Sequence, residues 1–384
     1  MAPLAASEDP KTADNSDKSR GETWPTDKRP APLGTGSMLS RLAGIGVMLL
    51  GVVAAFLYVG GWFSPDKLTP GRFVDEFERV NGIHSGFRRN HAKGVCVRGY
   101  FDSNGQGTRL SKAGVFQAGR VPVIGRFSLG TGDPHSTDEI STARGLGLQF
   151  SQADGEQWRT AMINLPVFPF KDPQAFYDNM VASAPDPATH QPDPQKMAAF
   201  AAKNPETIQA IGIIKSHAPS SGFDNSSFYG LNAFRFINAA GVSTPVRWML
   251  VSVQPYEAAV ASGTSQDKNF LFDALIASIT QHPLQWHLMI TVGQPGDPTN
   301  DAAISWPEGR EQVDVGTLTL DSVESDDTSP ARDINFDPLI LPDGISPSDD
   351  PLLSARSAIY SQSFTRRASE TKEPSAVTPA EVRR

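Results

Sequence analysis

Hydrophobic and polar positions divide the 384-residue chain into four parts. Residues 1–37 nearly lack large apolar side chains, which predicts disorder because little apolar surface is available to offset the entropy of ordering. Residues 42–63 are apolar and uncharged, residues 65–367 mix alternating and amphipathic segments, and residues 368–384 are polar. The pattern predicts a disordered start, an apolar helix at 38–64, a globular domain at 65–367 and a flexible tail at 368–384.

The apolar run at 42–63 predicts a single transmembrane helix. At helical rise, such a run spans about 30 Å, the thickness of a bilayer's hydrocarbon core. A cleaved signal peptide usually has a shorter apolar region that lies closer to residue 1. Lys28, Arg29 and Arg41 precede the run. By the positive-inside rule they place the N-terminus in the cytoplasm and the large domain in the periplasm or another extracytoplasmic space.

In the globular part, apolar and polar residues alternate as they do in half-buried strands, and segments with helical periodicity lie between these strands. Strands are predicted at 95–101, 126–128 continuing past a loop to 145–150, 233–238, 246–253 and 287–292. Helices are predicted at 194–202, 204–214 and 267–280. Gly241 lies in the turn of a predicted hairpin. Strands followed by helices among further strands indicate an α+β domain on an antiparallel sheet or barrel.

Composition excludes several classes of function. The net charge of -8 argues against a nucleic-acid-binding protein, which needs a basic surface. The single cysteine, Cys96, excludes an intrachain disulfide and any cysteine-based zinc or iron–sulfur site within one chain. The seven histidines form no HExxH pair.

Two segments carry candidate chemistry. The segment 88–94, which contains His91, leads directly into the predicted strand at 95–101, where a sheltered imidazole is suited to proton transfer. Arg356, Tyr360 and Arg367 share one face if their segment is helical. An arginine beside a tyrosine stabilises the phenolate, which can then bind a metal. The alternative is a surface helix with a solvated basic end.

These segments belong to a larger pattern that resembles the haem catalase superfamily. Five motifs follow one another in the family's order between about residues 68 and 367: RRNHAKGVCVRGYF, GRFSLGTGDPHSTDEISTARGLGLQF, NLPVFPFKDPQAF, YGLNAFRFINAAG and DPLILPDGISPSDDPLLSARSAIYSQSFTRR. The resemblance implies a catalase-type antiparallel β-barrel with surrounding helices, preceded by the transmembrane helix and enclosing haem b.

The resemblance also implies a role for each matching residue. Tyr360 would bind the haem iron through its phenolate, and Arg356 would keep that phenolate ionised. His91 would move a proton between the two peroxide oxygens, with Ser128 supporting it, so that the O–O bond breaks and leaves a ferryl haem. The remaining matches are haem contacts: Phe176 on the haem face, and the propionate partners Arg88, Arg126 and Arg367.

Two features depart from typical catalases. The chain ends 24 residues after Tyr360, as in short catalase-related peroxidases. The family has two adjacent asparagines in the distal pocket, whereas here Ile163 takes the first position and Asn164 the second. We expect Asn164 to act on peroxide if a one-residue adjustment brings it into the pocket. If it does not, the less polar pocket favours organic hydroperoxides and one-electron donors over fast dismutation.

The sequence therefore predicts a membrane-anchored haem peroxidase, monomeric or dimeric. It would reduce organic hydroperoxides, hydrogen peroxide or both with an external small-molecule electron donor. The alternatives are a hydrogen peroxide dismutase, a fatty-acid hydroperoxide isomerase and a non-catalytic haem-binding protein. His91 argues against the last, because haem storage requires no proton transfer.

Overall fold

The computed structural model describes residues 34–60, 62, 67–186, 188–259 and 267–379. The chain forms two compact units, residues 1–65 and residues 66–384. Of the segment 1–37 predicted to be disordered, residues 1–33 lie outside the described residues, whereas residues 35–37 form the start of a helix.

The first unit contains one long apolar helix, α1, Thr35–Val59. Its 25 residues are long and apolar enough to cross a membrane, and none of them is buried. Length and composition of this kind are shared by membrane anchors and signal sequences. The helix begins at Thr35, seven residues before the predicted apolar run, because helical hydrogen bonding continues through polar residues. Of the predicted C-terminal boundary, residues 61 and 63–66 lie outside the described residues.

The second unit combines helices with short and long strands. Its described helices are α2 Pro70–Asn81, α3 Pro173–Ser183, α4 Pro194–Lys203, α5 Pro205–Ser216, α6 Phe270–Gln281 and α7 Pro351–Ala368. Its described strands are β1 Gly94–Ser103, β2 Gly119–Leu129, β3 Arg144–Ser151, β4 Gln157–Ile163, β5 Phe228–Tyr229, β6 Phe234–Ile237, β7 Ser243–Ser252, β8 Leu284–Val292, β9 Gln312–Glu324 and β10 Ile345–Pro347.

Eight of these strands close into an antiparallel barrel, in the order β1-β2-β3-β4-β5-β7-β8-β9 and back to β1. The short strands β6 and β10 extend the sheet beside the first half of β7. Alternate residues of each strand point into the barrel. Large aromatic side chains fill it, among them Phe127, Phe150, Trp158, Trp248 and Trp286. The predicted α+β class and antiparallel barrel are confirmed.

Proline fixes where five helices start. In α2, α3, α4, α5 and α7 the first residue is proline, whose missing N–H requires no acceptor at that position. Thr69, Asp172, Asp193 and Asp350 precede four of these prolines and accept a hydrogen bond from a backbone N–H of the first turn. The sequence-based prediction omitted α2 and α3 as well as β4 and β9, although Thr69-Pro70 and Asp172-Pro173 are helix-start signals.

The C-terminal segment differs from the expected flexible tail. Through residue 379 it packs on the rest of the second unit: Glu370 forms an ion pair with Arg89, and Val377 is buried at 1% exposure. The polar composition of residues 368–384 gave no sign of the ion pair, because Arg89 lies 281 residues before Glu370 in the chain.

Candidate active site

A cavity of about 310 Å³ lies beside the barrel. Its walls come from α2, α3, α7 and the strands β2, β3 and β4. Apolar side chains such as Phe73, Leu146 and Phe336 line much of it. Among the described residues, the lining contains five arginines and no carboxylate.

One face of α7 forms a wall of the cavity. Arg356, Ile359, Tyr360 and Arg367 all line it, as their helical spacing predicts. The Tyr360 ring packs against a buried cluster that includes Phe336. The sequence-based prediction that Arg356, Tyr360 and Arg367 share a helix face is therefore confirmed.

Arg356 is held by two neighbours outside α7. Its Nη2 donates to the carbonyl oxygen of Ala161, 3.0 Å away, and its Nη1 donates to the side-chain oxygen of Asn232. Asn232 donates in turn to the Asp350 carboxylate at 2.7 Å. Because Asp350 also caps the start of α7, one carboxylate fixes both the start of the helix and the orientation of its arginine.

His91 lines the cavity in an unusual backbone conformation. Its φ is +59°, in the left-handed region that L-residues rarely adopt. Its Nδ1 lies 3.1 Å from the hydroxyl oxygen of Ser128. A Cβ atom at Gly145 would lie 2.9 Å from both of these atoms, so only glycine leaves room for the pair. Burial, together with the positive charges of Arg126 and Arg356, lowers the pKa of His91 to about 4.

Three further arginines cluster at the cavity. Arg126 forms an ion pair with Asp326, whose carboxylate oxygen is 2.7 Å from Nη2. Burial alone would lower the pKa of Arg126, but Asp326 raises it above its ordinary value. Arg88 instead donates to the carbonyl oxygens of Ala331 and Ile334, each 3.0 Å away.

The cluster carries more positive charge than its buried partners neutralise. Burial, with Arg126 and Arg367 close by, lowers the pKa of Arg88 well below its ordinary value. Burial and Arg126 lower the pKa of Arg367 to about 10. Arg367 donates to the carbonyl oxygen of Arg332 at 2.7 Å, and its nearest carboxylate, on the exposed Asp333, is 3.9 Å away. Of the three arginines, only Arg126 has a buried carboxylate, which leaves a surplus of two positive charges.

Phe176 and Asn164 were also predicted to contribute to the site, but only Phe176 lines the cavity. Phe176 lines the cavity and stacks on Phe170, with ring centroids 4.9 Å apart. Asn164 does not line it: its side-chain oxygen accepts the backbone N–H of Arg144 at 2.8 Å. Ile163 and Leu165 face the cavity instead, so the one-residue adjustment that would bring Asn164 inward is wrong.

The sequence-based reasoning missed several residues that shape this site. Asp326 and Phe336 lie between β9 and α7, in a segment to which no role was assigned. Gly145 and Gly147 alternate along β3, and a Cβ atom at Gly147 would lie 2.8 Å from the Phe336 ring. Alternate glycines in a strand are a signal for close packing on one face.

Comparison with known proteins agrees with this geometry. The family model described as Catalase matches residues 68–374. A catalase-related peroxidase from Synechococcus elongatus is 37% identical, over 86% of this chain and 95% of the relative. One from Mycolicibacterium paratuberculosis is 30% identical, over 78% of this chain and 95% of the relative. Catalase A from Saccharomyces cerevisiae has a similar fold, with a TM-score of 0.67 at 20% identity, covering 78% of this chain and 65% of that chain.

The chain therefore belongs to the catalase family. It is an oxidoreductase, and its family implies a haem cofactor. The residues present fit that group. A haem has an apolar macrocycle and two propionate carboxylates, and the cavity offers apolar walls and, in the cluster of Arg88, Arg126 and Arg367, two uncompensated positive charges.

Esterified haem tests the arginine cluster directly, since dimethyl esterification removes both propionate charges and keeps the macrocycle and the iron. We expect its dissociation constant to exceed that of haem by at least about 100-fold, because each hydrogen bond between charged groups contributes about 1.5–3 kcal/mol. Absorbance titration measures both constants.

The adjacent residues Arg366 and Arg367 provide the control. Arg366 pairs with Asp75 and Glu78 and does not line the cavity. Arg367→Gln should reduce the difference between acid and ester, whereas Arg366→Gln should preserve it. If the wild type bound haem and its dimethyl ester with equal affinity, the assignment of the arginine cluster to the propionates would be contradicted.

Proposed function

We propose that this protein is a peroxidase that uses haem b, held by Tyr360, to reduce organic hydroperoxides or hydrogen peroxide with an external electron donor. The observation that carries the proposal is the His91–Ser128 pair at the wall of a cavity that Tyr360 also lines. The two catalase-related peroxidases, to which the chain is 37% and 30% identical, support it.

His91 would act as the proton carrier. With a pKa of about 4 its imidazole is neutral at physiological pH and can accept a proton. Ser128 engages Nδ1, which leaves Nε2 for the substrate. Nε2 would take the proton of the hydroperoxide and return it to the oxygen that leaves as water or alcohol. Bound haem would supply the iron and the electrons that cleave the O–O bond, and the external donor would replace those electrons.

Tyr360 would hold the haem iron, and Arg356 would favour its ionised form. Arg356 lies one helical turn before Tyr360, and its contacts to Ala161 and Asn232 fix its side chain at the cavity wall. A fixed cation nearby favours a phenolate over a phenol. Arg88, Arg126 and Arg367 would bind the propionates, and Phe176 would contribute to the apolar wall.

Ile163 favours organic hydroperoxides. An asparagine in the distal wall can donate hydrogen bonds to a small peroxide, whereas the isoleucine side chain offers only apolar contact. A cavity with this wall lowers the cost of placing an alkyl or aryl group near the reacting oxygens. The proposed selectivity is therefore towards bulkier hydroperoxides and away from fast dismutation of hydrogen peroxide.

Replacement of His91 by alanine tests the function. We expect His91→Ala to lower kcat/KM for donor oxidation with cumene hydroperoxide at least about 100-fold, because general acid–base catalysis contributes about 10²–10⁴-fold. His217→Ala, at an exposed histidine after α5, is the matched control and should retain the wild-type value. Rapid oxygen evolution from hydrogen peroxide by the wild type would instead indicate a dismutase.

Replacement of Tyr360 by phenylalanine tests the iron ligand. Tyr360→Phe removes only the phenolic oxygen, so we expect the absorption bands of a phenolate-ligated ferric haem to disappear while the Phe336 packing is retained. Tyr229→Phe is the control, because this tyrosine does not line the cavity. A Tyr360→Phe spectrum identical to that of the wild type would exclude Tyr360 as the ligand.

Replacement of Ile163 by asparagine tests the selectivity. We expect Ile163→Asn to raise the ratio of kcat/KM for hydrogen peroxide to that for cumene hydroperoxide about fivefold, since a new hydrogen bond in the pocket contributes about 1 kcal/mol. Ile163→Val, which changes size and keeps the wall apolar, should leave the ratio within about twofold. An unchanged ratio in Ile163→Asn would show that this wall does not select the substrate.

We further propose that α1 anchors the enzyme in a membrane with the second unit outside the cytoplasm. The length and apolar surface of α1 and the basic residues that precede it support this orientation.

Alkaline phosphatase fused to the C-terminus tests the orientation, because it is active only after export. We expect an active fusion in the membrane fraction, and a cytoplasmic reporter at the same position should be inactive. The reverse result would contradict export, and an active fusion in the soluble fraction would show that α1 is removed.

A further inference from the structure

A single segment after β9 supplies acceptors to all three clustered arginines. Residues 326–334 offer the Asp326 carboxylate to Arg126 and backbone carbonyl oxygens to Arg88 and Arg367. Asp326 differs from the other acceptors because it carries a charge. The segment thereby fixes the guanidinium groups before any ligand binds.

Asp326 is a buried carboxylate with three donors around it. Its exposure is 3%, equal to that of Arg126. Arg126 approaches side-on, with Nε 2.9 Å from one carboxylate oxygen and Nη2 2.7 Å from the other. The thiol of Cys96 donates to the first oxygen at 2.9 Å. Burial opposes ionisation, but Arg126 lowers the pKa of Asp326 below its ordinary value.

Arg126 uses its other N–H groups to hold the backbone around His91. Nη1 donates to the carbonyl oxygen of His91 and Nη2 to that of Ala92, both at 2.8 Å. Gly94 makes room for the guanidinium, because a Cβ atom there would lie 2.5 Å from the Arg126 Cζ. These contacts and the ion pair with Asp326 together occupy four of the five guanidinium N–H donors.

The backbone of His91 requires such support. A non-glycine residue at φ +59° is strained, and it stays there only where its surroundings fix it. Its own N–H is satisfied by the side chain of Asn90 at 3.0 Å, and the next N–H by the carbonyl oxygen of Thr131 at 2.9 Å. The carbonyl oxygens of the same turn, those of His91 and Ala92, accept their hydrogen bonds from Arg126. The Arg126 guanidinium keeps its orientation through the two oxygens of Asp326.

We propose that Asp326 is a positioning residue that, through Arg126, holds His91 in the orientation required for proton transfer. The proposal rests on the function proposed for His91. It assigns a role to a side chain that does not line the cavity and lies more than 200 residues from His91 in the chain.

A double-mutant cycle on the haem-loaded full chain tests this role. Cyanide is the probe, because hydrogen cyanide must release a proton to a nearby base when it binds as the anion. Its dissociation constant is measured by absorbance for Asp326→Asn, His91→Ala, the double variant and the wild type. We expect Asp326→Asn to weaken binding about tenfold more with His91 present than with His91→Ala, a coupling within the range of contacting residues.

The cycle separates positioning from general effects. A change in stability or in haem retention acts in both backgrounds and cancels in the comparison, and Arg126→Lys, which keeps the positive charge, separates positioning from a change in charge. Asp327→Asn is the matched control, because Asp327 is the next residue, is exposed, and pairs with Arg332. It should show less than twofold coupling to His91. Coupling below twofold for Asp326→Asn, or equal coupling for Asp327→Asn, would overturn the proposal.

A second variant covers the case in which Asp326→Asn does not retain haem. Arg126→Lys keeps the positive charge and loses the side-on geometry, so it should show the same coupling to His91. If Arg126→Lys showed no coupling to His91, the proposal would be overturned. Cyanide binding requires no turnover, so the cycle still reports on Asp326 if the wild type fails to oxidise donors with hydroperoxides, a result that would count against the proposed function alone.

Discussion

The burial of the Arg126 guanidinium is the constraint around which this site is built. A buried cation is costly unless it is paired and fully hydrogen-bonded. Asp326 provides the charge and two acceptors, and the carbonyl oxygens of His91 and Ala92 provide two more, so that four of the five N–H donors are satisfied. Because these partners come from two parts of the chain and Arg126 from a third, satisfying this arginine fixes the relative positions of β2, the loop before β1 and the segment after β9.

The same strand that carries Arg126 also carries the partner of the His91 ring. Arg126 and Ser128 are two residues apart on β2 and therefore point to the same face. One contacts the His91 backbone and the other its Nδ1. One regular strand thus holds the main chain of His91 and also engages its Nδ1, which leaves Nε2 for the proton transfer proposed. This matters because a general base must be held within hydrogen-bond reach of the proton that it moves.

The other two arginines of the cluster, Arg88 and Arg367, have no buried carboxylate as a partner. Arg88 and Arg367 rely on backbone carbonyl oxygens, which satisfy their N–H groups without cancelling their charge. The resulting surplus suits a dianionic ligand better than it suits an empty apolar cavity. Glu370, in the segment expected to be a flexible tail, instead neutralises Arg89. Arg89 also lines the cavity, but its charge is neutralised, whereas the charges of Arg88 and Arg367 are not.

The sequence by itself determined the class of fold, the α7 face with Arg356 and Tyr360, and the position of His91 before β1, since each follows from local periodicity or an ordered set of motifs. Only the tertiary structure decided that Ile163 rather than Asn164 faces the cavity, because a strand's last residue turns inward or outward according to its pairing. It also revealed Asp326, whose partners are distant in sequence. Contacts of this kind leave no local pattern, because they depend on how the chain closes into a barrel.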